Sequence, residues 1–77
     1  MGENEMTFYV IHLAKGGDWK KISNTVNTLK GNKGLSIAYD AYTKTYTVVV
    51  WEEESRGLVM ELKDQVESLG GLFKVAA

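Results

Sequence analysis

The chain has 77 residues, a net charge of −1, and neither cysteine nor proline. This is the length of one domain, and a hydrophobic content of 44% with 25% charged residues is typical of a globular protein. The lack of cysteine excludes disulfides, zinc–cysteine sites and a thiolate nucleophile. The near-neutral charge argues against general affinity for nucleic acids.

The N-terminal residues bear on location and order. Residues 1–5 are polar and acidic, so we predict a disordered tail, followed by a single domain over residues 6–77. The start MGENEM lacks the basic residues of a secretory signal, and no apolar run approaches the roughly 18 residues of a membrane-spanning helix. We therefore expect a soluble, cytoplasmic protein with no membrane partner.

The first strand and the first helix follow in chain order. Residues 6–14, MTFYVIHLA, form a predicted strand that is apolar on both faces, which is typical of a central strand. Residues 18–30 form a predicted helix with Asp18 as its N-cap. Its apolar stripe, at spacings of three and four residues, consists of Trp19, Ile22, Val26 and Leu29.

A hairpin comes next, with strands at residues 35–41 and 45–52 joined by a turn at residues 42–44. An even-length loop that pairs Ala41 with Tyr46 places Tyr39 opposite Val48. One face of the hairpin is then the better candidate to meet the helices, and it carries Leu35, Ile37, Tyr39, Tyr46, Val48 and Val50. The pattern therefore predicts two of the hairpin's tyrosines in the core.

The last two elements are a helix over residues 55–69, with Ser55 as its N-cap, and a short strand over residues 72–76. The order βαββαβ resembles the ferredoxin-like fold, an α+β two-layer sandwich. That resemblance implies a four-stranded antiparallel sheet with two helices on one face. We predict a core of Trp19, Ile22, Val26, Tyr39, Tyr46, Val48, Val50, Leu62, Val66 and Phe73.

The second face of the sheet carries the candidate binding residues. Val49 and Trp51 lie there on a central strand, beside either Tyr9 and Ile11 or Phe8 and Val10. An exposed apolar cluster at this place indicates a protein partner, self-association, or a C-terminal tail that folds across it. We choose Tyr9, Ile11, Val49 and Trp51 as the candidate interaction surface, and note that a one-residue register shift exchanges the two faces.

Catalytic and metal chemistry has weak candidates. HLAKGGDW, residues 12–19, places Gly-Gly before a helix, as in anion sites, but Asp18 would repel an anion there. The single histidine, His12, has no partner at a catalytic spacing, and Glu52, Glu53 and Glu54 are consecutive and so point in alternating directions. We predict no catalytic, cofactor-binding or metal-binding residue, and hence no enzyme.

The predicted function is that of a small binding or regulatory module that contacts another protein through the open sheet face. One alternative is an artificial, designed sequence with no biological activity, because a chain without proline and cysteine is unusual. The other is weak RNA binding. FYVIHL, residues 8–13, is similar to the first motif of RNA-recognition domains, with Tyr9 as its aromatic, but Thr45, Thr47 and Val49 stand where the third strand needs aromatics.

Overall fold

The computed structural model describes residues 6–13 and 19–76. In chain order the elements are β1 (Thr7–His12), α1 (Trp19–Leu29), β2 (Leu35–Asp40), β3 (Thr45–Val50), α2 (Glu53–Ser68) and β4 (Leu72–Val75). The predicted α+β class is confirmed, with four antiparallel strands in one sheet and two helices. The predicted tail, the Gly-Gly loop and the Asp18 cap lie outside the described residues.

The sheet has the strand order β2-β3-β1-β4, and each neighbouring pair is antiparallel. β1 and β3 therefore occupy the centre, which explains why β1 is apolar on both of its faces. β2 and β4 form the two edges. The prediction of a central first strand is confirmed.

The hairpin register differs from the prediction by two residues. Asp40 pairs with Thr45 and Tyr39 with Tyr46, so the predicted pairing of Ala41 with Tyr46 is wrong. The physical reason is the turn, because the Asp40 carboxylate accepts the backbone N–H groups of Tyr42, at 2.9 Å, and Thr43, at 3.3 Å. A shift by an even number leaves every side chain on its predicted face.

One face of the sheet packs against both helices in a single cluster. The sheet contributes Ile11, Leu35, Ile37, Val48, Val50 and Phe73, and the helices contribute Ile22, Val26, Leu29, Val59, Leu62 and Val66. Trp19 and Tyr46, predicted in the core, are half-buried at its margin. Tyr39 was predicted there too, but its side chain is 48% exposed because it lies on the edge strand β2, next to the turn.

The junction between β3 and α2 is tied to the loop before β2. Gly34, at φ 84°, accepts the backbone N–H of Trp51 at 2.9 Å and that of Glu52 at 3.3 Å through its carbonyl. The predicted N-cap at Ser55 is wrong, since α2 begins at Glu53 with Glu52 as its N-cap. The buried Ser55 hydroxyl instead donates to the Lys33 carbonyl at 2.5 Å, which anchors the first turn of α2 to this loop.

Candidate interaction surface

The register of the two central strands decides which side chains reach the open face of the sheet. Phe8 pairs with Val49. Val10 pairs with Thr47. Directly opposed residues of antiparallel strands point to the same side, so the even-numbered residues of β1 lie beside the odd-numbered residues of β3. The odd-numbered residues of β1 face the helices.

This register separates the four residues predicted to form the interaction surface. Val49 and Trp51 lie on the open face, but the placement of Tyr9 and Ile11 there is wrong. Ile11 is fully buried in the core, and the Tyr9 ring packs on Phe73 with 5.0 Å between ring centroids. Because β1 is apolar on both faces, its hydrophobic pattern alone could not decide between the two placements.

The centre of the open face is an apolar strip formed by β1 and β3. Phe8, Val10, Val49 and Trp51 are all half-buried there, although no described element packs on this side of the sheet. The backbone N–H of Trp51 donates to the Gly34 carbonyl, so the ladder continues one residue beyond β3 and keeps Trp51 in register. We call these four residues the apolar strip.

Small and polar residues flank the apolar strip on the two edge strands. Ser36 and Ala38 on β2 are exposed, and Leu72 on β4 is 53% exposed. Among the paired strand residues described by the structure, two formal charges lie on this face, those of Asp40 on β2 and Lys74 on β4. The face is thus apolar in the middle and carries one charge of each sign at opposite edges.

The remaining chemical candidates are dispersed. His12 is exposed at the end of β1, opposite Thr45 and Leu72. Glu53 and Glu54 occupy the first turn of α2, where negative charge interacts favourably with the helix dipole. Within residues 6–13 and 19–76, no group of three or more His, Cys, Asp or Glu side chains could hold a metal ion. Lys20 and Lys21, in the first turn of α1, are both exposed.

Two polar features lie on the helix-facing side of the molecule, and the sequence did not indicate either of them. A groove of about 720 Å³ runs between α1 and α2, and the Thr25 hydroxyl donates to Gln65 Oε1 at 2.6 Å in its wall. At the margin of the core, the Tyr46 ring contacts that of Tyr39 in a tilted arrangement, with 4.8 Å between ring centroids. Burial raises the pKa of the Tyr46 hydroxyl, as does neighbouring Tyr39, while a side-chain hydrogen bond with Ser23 lowers it.

Neither helix of the described chain combines the length and the apolar character needed to cross a bilayer. Comparison of the chain with protein-family models, with curated proteins and with solved structures finds no match.

Proposed function

We propose that the chain is a ferredoxin-like sandwich that acts as a non-enzymatic binding or regulatory module. The strand order supports this fold, because β1 and β2 are parallel with β3 between them, and β3 and β4 are parallel with β1 between them. Two interleaved βαβ units of this kind define the ferredoxin-like topology. The fold serves many unrelated activities, so function must be argued from the surface.

The apolar strip is the observation that carries the proposal. Of its two aromatic residues, Phe8 lies on β1 and Trp51 directly follows β3, and the strand register places both on the side away from the helices. Tryptophan combines a large apolar body with one N–H donor, which is the profile of an interface anchor. A soluble domain exposes such a cluster at a cost, and a protein partner that covers it offsets that cost. Val49 and Trp51 therefore remain in the proposed surface, and Phe8 and Val10 replace Tyr9 and Ile11.

A protein partner fits this face better than RNA does. Tyr9, the aromatic on which the similarity to RNA-recognition domains rests, packs on Phe73 beneath the sheet. Lys74 is the one lysine or arginine among the paired strand residues of the open face, and Asp40 offsets its charge. RNA binding requires stacking aromatics together with excess positive charge along the strand path.

A natural origin is favoured over an artificial sequence by three local features of the helices. Gly57 lies inside α2, where glycine costs stability. The N-cap of α2, Glu52, makes no side-chain capping hydrogen bond. Neither helix carries a basic residue in its last turn. Designed helices are capped and charged to avoid all three.

Site-specific photocrosslinking tests the proposed surface. Thr47 is exposed at the middle of the open face, and Asn27 is exposed on α1, so a photoreactive phenylalanine is introduced at one position or the other in the source cells. We expect a protein adduct from position 47 and none from position 27. Equal adducts from both positions, or none from position 47, would reject the open face as the binding surface.

A further inference from the structure

The two charges of the open face cannot neutralise each other within one chain. Lys74 on β4 and Asp40 on β2 lie on opposite edges of a four-stranded sheet. Three strand spacings separate these edges, which is about 14 Å and far beyond ion-pair distance. Among the paired strand residues that the structure describes, neither charge has a counter-charge on its own edge of the face, and each lies at the border of the apolar strip.

Consider two copies whose open faces meet, related by a twofold axis that lies between the faces and runs parallel to the strands. This rotation places each edge strand of one copy opposite the other edge strand of its mate. β4 of one copy then lies opposite β2 of the other, and the central strands face each other. Lys74 is level with Ala38 across the sheet, two residues from Asp40. That offset is about 7 Å along the strand, which the four-carbon stem of lysine can span. The operation forms the Lys74–Asp40 pair twice.

Resting on the proposed function, we propose that the partner of the open face is a second copy of this chain, packed sheet on sheet about this axis. The apolar strips of the two copies cover each other, and the Lys74–Asp40 pairs close the two sides. The helices lie on the outside of the dimer. The charge arrangement is complementary to itself, which a surface evolved for a different partner has no need to be.

The size of the face indicates which class of interface the dimer would have. Four strands and six residues measure about 19 Å by 20 Å, a footprint of about 400 Å² for each copy. Specific interfaces typically bury about 800 Å² of accessible surface on each partner. We therefore expect a reversible, concentration-dependent dimer rather than an obligate one.

Sedimentation equilibrium of the purified chain with charge-reversal variants tests the proposal. The wild-type chain, of 8.6 kDa, is expected to reach twice this mass as concentration rises. Lys74→Glu and Asp40→Lys should each raise the dimer Kd about tenfold, because each places like charges together at two symmetric sites. An equimolar mixture of the two variants, and the double variant, should return to a Kd near that of the wild type. Lys30→Glu, an exposed lysine after α1, is the matched control and should leave the Kd unchanged.

Asp40→Lys also removes the carboxylate that accepts the turn N–H groups, so its fold is checked by circular dichroism. A second pair keeps the turn intact: Ala38→Lys should weaken the dimer, and Ala38→Glu should tighten it. A dimer whose Kd ignores all these changes overturns the proposed geometry. A monomeric wild-type chain overturns self-association, and adducts from position 47 to another protein would then leave the proposed function standing.

Discussion

Val48, Val49 and Val50 are three identical residues in a row, yet they belong to two different environments. Val48 and Val50 are fully buried under the helices, whereas Val49 is half-buried on the open face. The same contrast runs through the sheet, since the helix-facing side supplies a continuous cluster and the open side supplies a narrow strip. Residue type therefore does not decide which apolar side chains stabilise this fold. Whether the helix layer covers a side chain decides how much that side chain stabilises the fold.

The contrast predicts unequal costs for the same substitution on the two faces. Leu62 on α2 is fully buried in the cluster, whereas Leu72 on the open face is 53% exposed. Leu62→Ala should lower the free energy of unfolding by about 2–4 kcal/mol, from lost burial and a residual cavity. Leu72→Ala should change it by less than about 0.5 kcal/mol in the monomer. Urea unfolding at low protein concentration measures both.

Equal losses in the two leucine variants would contradict the division of the sheet into a covered and an open face. A large loss from Leu72→Ala that grows with protein concentration would have a different meaning. It would place Leu72 in a dimer interface, because association stabilises the folded state in a concentration-dependent way.

A pair of glycines tests the junction that keeps Trp51 in register on the open face. At Gly34 a Cβ would clash with Glu52, and φ is 84°, so Gly34→Ala should cost about 2–3 kcal/mol. At Gly57, inside α2, a Cβ would meet no atom within 4 Å. Gly57→Ala should therefore stabilise the fold by about 0.5–1 kcal/mol. A melting temperature that stays the same or rises in Gly34→Ala would show that the junction is not rigid.

Sequence patterns predicted the elements and the faces of the hairpin because strand alternation survives errors of an even number of residues. They could not assign Tyr9 and Ile11, since β1 alternates between two apolar faces and only its pairing with β3 selects one. Ser55 was misplaced for another reason. Its hydroxyl matches a cap in sequence, but its partner is the Lys33 carbonyl, which is distant along the chain.

The last prediction concerns the margin where the covered face becomes exposed. Burial and neighbouring Tyr39 raise the pKa of Tyr46, and the hydrogen bond with Ser23 opposes them. The folded chain therefore holds this proton at a pH at which the unfolded chain, with its ordinary pKa of 10.0, releases it. This contribution to stability is complete below pH 10 and is lost as the pH rises through the folded pKa.

Tyr46→Phe removes the hydroxyl group, and with it both the titrating proton and the hydrogen bond with Ser23. At pH 7 the variant should lose about 0.5–1.5 kcal/mol with the hydrogen bond to Ser23, and above pH 10 its free energy of unfolding should fall less steeply than that of the wild type. Tyr42→Phe makes the same chemical change at a side chain that is 96% exposed, so it should follow the wild-type curve. Parallel curves for wild type and Tyr46→Phe above pH 10 would mean that Tyr46 is as hydrated as Tyr42, and that the covered face ends before β3 reaches the turn.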